Sequence, residues 1–122
     1  MGRASLSLGL LVRSEPWRSR SGREALDLAL AAVTLDLRLE LFFIGAGAEQ
    51  LIGGADGTRA GLPPGMKAWA SVPSLGDVRC WIQRDAWERL QRAGVDWILP
   101  VEPRDAAGLE QRLRSCDRLI VV

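Results

Sequence analysis

The sequence predicts an α/β chain: a three-layer α/β/α sandwich on a mainly parallel five-stranded sheet. Two observations lead there. Apolar runs of strand length alternate with amphipathic stretches of helical length along the whole chain. The run Leu41-Phe42-Phe43-Ile44 is apolar without a break, as a strand covered on both faces must be, and such strands belong to sheets whose crossover helices pack both sides.

Leu6 to Val12 is a short, mostly apolar run that stops at Arg13 and supplies the first strand. A polar loop, Arg13 to Arg20, follows and is broken by Pro16. Ser21 and Glu24 have the spacing of a capping box, which starts a helix running from about Gly22 to Leu35. At 100° per residue, Leu26, Ala29, Leu30 and Val33 form one stripe of that helix, with Ala25, Leu28, Ala32 and Leu35 as a second beside it. An apolar arc this wide exceeds what one sheet face covers, so a second burial surface, another subunit, is expected.

Arg38 to Ile44 is the second strand, ended by Gly45-Ala46-Gly47. Gly53 to Gly65, with five glycines and Pro63-Pro64, reads as an exposed, mobile loop. Met66 to Ser71 forms a brief helix that Pro73 stops, and Val78 to Ile82 is the third strand. Asp85 to Ala93 is amphipathic, with Ala86, Trp87, Leu90 and Ala93 inward and the pairs Asp85/Arg89 and Glu88/Arg92 outward; Gly94 ends it. Trp97 to Leu99 is the fourth strand. Asp105 to Ser115 is a helix on the spacing Ala106, Leu109, Leu113, and Leu119 to Val122 is the fifth strand.

At 122 residues the chain suits one core, a single domain over 1–122. A net charge of +1 gives no general attraction to nucleic acid or an anionic membrane. No apolar run approaches the roughly 20 residues that span a bilayer. Two cysteines without a secretory leader point to a reducing cytoplasm and no disulfide framework. There is no histidine and no tyrosine. Imidazole acid/base chemistry, Ser-His and Cys-His pairs and His-containing zinc sites are therefore excluded within this chain, and neither a metal nor a cofactor is implied.

Reactive groups in an open α/β sheet collect beyond the carboxyl ends of the strands. Four places qualify: the Arg13 to Arg20 loop, Gly45 to Gly47, the end of strand three from Cys80 to Arg84, and the Pro100 to Asp105 turn. Gly45-Ala46-Gly47 begins like a dinucleotide fingerprint, but its third position is Gln50 and it follows the second strand; a tight exit from a buried strand accounts for it. Arg13, Arg18, Arg20 and Arg23 surround Trp17, yet Glu15 and Glu24 lie among them, which favours a solvated loop or subunit contact over direct RNA contact. Cys116, at the end of the last helix, reads as a small apolar residue. Cys80 has two readings: a packed strand residue between Arg79 and Trp81, or a reactive thiol activated by Arg79 or Arg84 and the N-terminus of the next helix.

Taken in order, Gly22-Arg23-Glu24-Ala25-Leu26-Asp27, Leu41 to Ile44, Gln50-Leu51, Asp77 to Ile82 with its Cys-Trp pair, and Cys116-Asp117-Arg118-Leu119-Ile120-Val121 resemble the TusC/DsrF branch of the DsrE-like sulfur-relay family over nearly the whole chain. The resemblance implies a DsrE-like, flavodoxin-like fold. It also implies a place in a heterohexamer with TusB/DsrH-like and TusD/DsrE-like siblings, through which persulfide sulfur passes between small carrier proteins. That sulfur ends either in 2-thiouridine at a tRNA wobble position or in oxidative sulfur metabolism. In the TusD/DsrE sibling the acceptor cysteine sits where the third strand turns into the next helix. Here that turn is Gln83-Arg84-Asp85. A mainly structural, non-catalytic role follows; the alternative is a stand-alone DsrE-like sulfurtransferase using Cys80.

Overall fold

The computed structural model describes residues 6–15, 21–53 and 66–122. Among these the order is β1 (Ser7–Val12), α1 (Ser21–Thr34), β2 (Arg38–Phe43), a 3-10 segment (Gly45–Leu51), β3 (Ile52–Gly53), a second 3-10 segment (Met66–Ser74), β4 (Val78–Gln83), α2 (Arg84–Arg92), β5 (Asp96–Trp97), β6 (Glu102–Arg104), α3 (Ala106–Arg114) and β7 (Arg118–Val121). The main sheet is five-stranded in the order β6-β4-β2-β1-β7, and every neighbouring pair is parallel.

The chain steps from β1 through β2 and β4 to β6 in one direction, then α3 carries it back across the sheet to β7. Right-handed crossovers put helices on one face while the chain moves one way and on the other face once it reverses. Accordingly α1, α2 and both 3-10 segments cover one face, over Leu10, Leu39, Leu41, Phe43, Cys80 and Ile82. Among the described residues only α3 covers the other, where Leu109 packs on Phe42 and Trp81.

Of the α1 stripe Leu26, Ala29, Leu30 and Val33, three are buried as expected and Leu30 is half-buried against the same core. The second stripe is narrower than expected. Ala25 and Ala32 are also buried, because a methyl group fits in the cleft between helix and sheet, so only Leu28, 37% exposed, and Leu35, beyond the helix end, face outward. Asp36 at φ 60° turns the chain out of α1. The Ser21 side chain and the expected mobile stretch at 54–65 lie outside the described residues.

Four other expectations need correction. Trp97–Leu99 is not a strand of the main sheet: Asp96–Trp97 pairs antiparallel with β3, Leu99 is buried in the core, and the fourth parallel strand is Glu102–Arg104. Its proline and two charges do not read as a buried strand, but an edge strand tolerates them. Pro73 does not stop the second 3-10 segment; the Ser74 hydroxyl and the Leu75 N–H donate to the Ser71 and Val72 carbonyls and carry the turn past it. Ala93 and Ala106 are exposed, one as the C-cap of α2 and the other as the first residue of α3. The i,i+4 ion pairs close in α1 (Arg23–Asp27) and α3 (Glu110–Arg114), and among the described residues not in α2.

Candidate functional site

At the carboxyl ends of β1, β2 and β4 the structure ties three strand exits together. Ile44 N–H donates to the Val12 carbonyl at 3.1 Å. Gly47 follows so closely that a Cβ there would lie 1.9 Å from the same carbonyl oxygen, so only glycine permits this approach. Gln50, 3% exposed, donates through Nε2 to the Ser14 carbonyl at 2.8 Å, which fastens the β1 exit to the first 3-10 segment. Gln83, at the end of β4, accepts the Gly45 N–H at 2.8 Å through Oε1. Its amide is thus a strut between the ends of β2 and β4. Pro16 to Arg20, including Trp17, Arg18 and Arg20 of the expected cationic loop, lie outside the described residues.

Cys80 is beside Leu41 in the sheet and faces α1 and α2 in the larger core. It is 9% exposed, and burial pushes its thiol from the ordinary value of 9.0 up to about 12. Arg79 and Arg84, which sequence placed as activators, are both exposed. The following helix does not offset the burial.

Cys116 lies just beyond α3, on the opposite face. Its Sγ sits over β1, where a Cβ on Gly9 would approach it to 2.9 Å, and donates to Glu40 Oε2 at 3.8 Å. Burial first, and then the Glu40 charge, push this thiol up to about 11, against a lowering by Arg112. The structure therefore separates the two cysteines on opposite faces of the sheet, both free. Neither environment favours thiolate, the form that attacks or accepts sulfur.

Sequence reasoning missed the one buried carboxylate among the described residues. Glu40, 5% exposed in the middle of β2, accepts through Oε1 from Trp81 Nε1 at 2.9 Å and from Arg112 Nε and a terminal guanidinium nitrogen at 3.0 and 2.8 Å. The Arg104 and Arg112 guanidinium carbons stand 4.8 and 5.1 Å from the Trp81 ring centroid, within cation–π range. A signal was present: Glu40 interrupts a strand otherwise written for burial on both faces, and a charge there requires a partner from the covering helix. This cluster pins α3 to the sheet. Among the described residues no group of three His, Cys, Asp or Glu side chains is placed to hold a metal ion, and no helix is long and apolar enough to cross a membrane.

Residues 7–122 match the DsrE/DsrF-like family. The chain is 29% identical to a TusC homolog of Pseudomonas aeruginosa over 118 residues, covering 97% of this chain and 99% of that protein. It is 32% identical to TusC of Klebsiella pneumoniae strain 342 over 117 residues, covering 93% and 96%. Its fold is similar to the crystal structure of the YchN protein from E. coli, with a TM-score of 0.79 at 18% identity over 96% of this chain and 99% of that one. A parallel sheet of this order, a match over nearly the whole length and TusC relatives of the same size agree: the chain belongs to the DsrE/DsrF-like family, and within that sulfur-relay family to the TusC/DsrF branch.

Proposed function

We propose that this chain is the structural, non-catalytic subunit of a cytoplasmic sulfur-relay heterohexamer, assembled with TusB/DsrH-like and TusD/DsrE-like siblings. It supports persulfide transfer by completing the complex around a sibling's thiol, toward 2-thiouridine at tRNA wobble positions or within oxidative sulfur metabolism. The observation that carries this is the turn at the end of β4. A persulfide acceptor there must expose a thiolate, whereas here the position holds Gln83, engaged with the Gly45 N–H. Burial of the Cys80 thiol and partial burial of the Cys116 thiol support the same role. The full-length matches to TusC proteins support the choice of complex, and exposed Leu28 and Leu35 support a surface made for a neighbour.

The test is label transfer through the complex reconstituted with its siblings, from a persulfidated donor protein. Cys80→Ser is expected to leave transfer within about twofold of the wild type, since the change in volume is small. Mass spectrometry is expected to find added sulfur on the sibling's thiol and none on peptides holding Cys80 or Cys116. Sulfur on Cys80, lost together with transfer in Cys80→Ser, would replace the structural role with a carrier role for this chain.

A further inference from the structure

The two edges of the main sheet are finished differently. At one, β6 is three residues long, carries Pro103, and flanks it with Glu102 and Arg104, which pair with each other at 2.8 Å. These are the devices that keep an edge from adding strands. At the other, β7 reads Arg118-Leu119-Ile120-Val121, has no proline, and exposes all four residues, with no helix among the described residues closing over it. An apolar edge left this open is a template for another strand.

The backbone says which strand fits. Val122 directs both its N–H and its carbonyl to β1, bonding Leu11 at 2.9 Å and Arg13 at 3.3 Å. Strand residues alternate in direction, so Ile120 also bonds inward, while Leu119 and Val121 turn their N–H and carbonyl groups to the free side. These two hydrogen-bonding residues lie symmetrically about Ile120. An antiparallel copy of β7 centred on Ile120 sets Leu119 opposite Val121 of the copy, and Val121 opposite Leu119, so that every outward group meets its complement. Ile120 meets Ile120 of the copy on the α1 face, because it shares its register position with buried Leu10. Arg118, the only charge in β7, faces Val122 of the copy; the two arginines stand four residues apart, about 13 Å at the rise of an extended strand, where solvent ions screen their repulsion.

We propose that β7 is a twofold seam on which a second copy of this chain adds its own β7 antiparallel, making one continuous sheet. The proposal adds a seam to the complex-forming role above, and its test uses this chain alone, so failure of the relay assay leaves it standing. Three apolar side chains per copy fall short of the roughly 1,000 Å² of a stable interface, so the pair forms at high concentration in isolation.

The experiment is light scattering of the full chain across a concentration series, with Val121→Pro. Proline there removes an N–H that β1 does not use. The variant is expected to keep the wild-type circular dichroism and to weaken association about thirtyfold, one hydrogen bond being lost at each of two symmetric positions. In a Cys116→Ser background, Ile120→Cys is expected to form a covalent dimer on mild oxidation, because the twofold places the two sulfurs opposite each other, and Leu119→Cys is not. This second arm stands even where Val121→Pro fails to fold. A wild-type chain still monomeric at about 0.5 mM, equal cross-linking of the two cysteine variants, or a Val121→Pro defect confined to sibling binding would each overturn the proposal.

Discussion

The two faces of the sheet are held by different physics. On the α1 face, two helices and two 3-10 segments bury a continuous set of aliphatic and aromatic side chains, and Cys80 lies among them as one more apolar group. On the α3 face, a single helix covers Phe42 and Trp81, and its grip depends on a buried carboxylate shared by Trp81 and Arg112. Burial is spread over many contacts and tolerates small changes in most of them. The charge cluster is concentrated, so removing one member strands the others. The difference follows from topology: one reversal of the chain sends only one helix to the second face, and that face leaves Leu119 and Val121 open at the β7 edge.

The largest effect belongs to the covered face. Leu26, 1% exposed, points into the core, and Leu26→Glu leaves a carboxylate without a partner there, at a cost of several kcal/mol that unfolds the chain. Leu28→Glu, two residues on and 37% exposed, is expected to keep the wild-type circular dichroism and to lose binding to the sibling subunits in pull-down. Equal loss of structure in the two variants would mean that α1 presents one buried surface and no interface.

On the α3 face the test is a pair of variants. Arg112→Met leaves Glu40 buried with the Trp81 N–H as its remaining close donor, and about 3 kcal/mol of stability is expected to be lost in urea. Glu40→Leu combined with Arg112→Met removes both charges and is expected to recover most of that loss, leaving about 1 kcal/mol for the orphaned Trp81 N–H. A double variant as unstable as the single one would show that packing, and not the stranded charge, governs this face.

The order and type of the long elements were legible because each carries its own period: the stripe Leu26, Ala29, Val33 and the unbroken Leu41 to Phe43 match their burial. Shifts arose where short elements depend on neighbours. Glu102-Pro103-Arg104 is a strand only because Trp81 to Gln83 of β4 offers it an edge. The 3-10 turn after β2 depends on the approach of Gly47 to Val12, which no local pattern announces. At the candidate site, sequence located the β4 exit and its Gln83, but a bond to Gly45 joins residues 38 positions apart and exists only once the sheet forms. Glu40 was visible as an anomaly; its partner on α3, 72 positions away, was not.

A smaller effect sharpens the comparison through the thiols. Burial raises the Cys80 thiol from 9.0 to about 12, so in the fold it keeps a proton that the unfolded chain releases above pH 9. The folded state then binds more protons, and stability falls as pH rises, by about tenfold in the folding constant per unit between the unfolded and folded values. Below pH 9 the group is neutral in both states and contributes no slope. Urea midpoints at pH 8 and pH 10 are expected to differ in the wild type and to differ less in Cys80→Ala, where the raised Cys116 thiol still contributes its own slope. An unchanged slope in that variant would mean that Cys80 is reached by water and is not part of the sealed face.

The smallest effect concerns the tie at the start of β7. Asp117 Oδ2 accepts the Ser7 N–H at 2.8 Å and the Ser7 hydroxyl at 3.1 Å, while the Ser7 hydroxyl oxygen accepts the Asp117 N–H at 2.9 Å. The backbone bond first and the hydroxyl second hold the carboxyl below its ordinary 3.8. The sign is therefore opposite to that of the thiols: the contribution is present above the unfolded value and is lost as pH falls through the lowered folded one. Asp117→Asn keeps an acceptor oxygen and removes the titration, so the acid limb of the stability curve is expected to flatten slightly below pH 3.8 while the neutral plateau barely moves, the carboxylate being solvent-exposed and its field screened. Hydrogen exchange at the Ser7 amide is the sensitive readout, because it follows this one bond. Faster exchange there with an unchanged plateau would mark the β7 edge as locally fastened, in contrast to the α1 face, where no single bond has that role. A loss of global stability as large as that of Arg112→Met would instead make the β1–β7 junction part of the concentrated network on the α3 face.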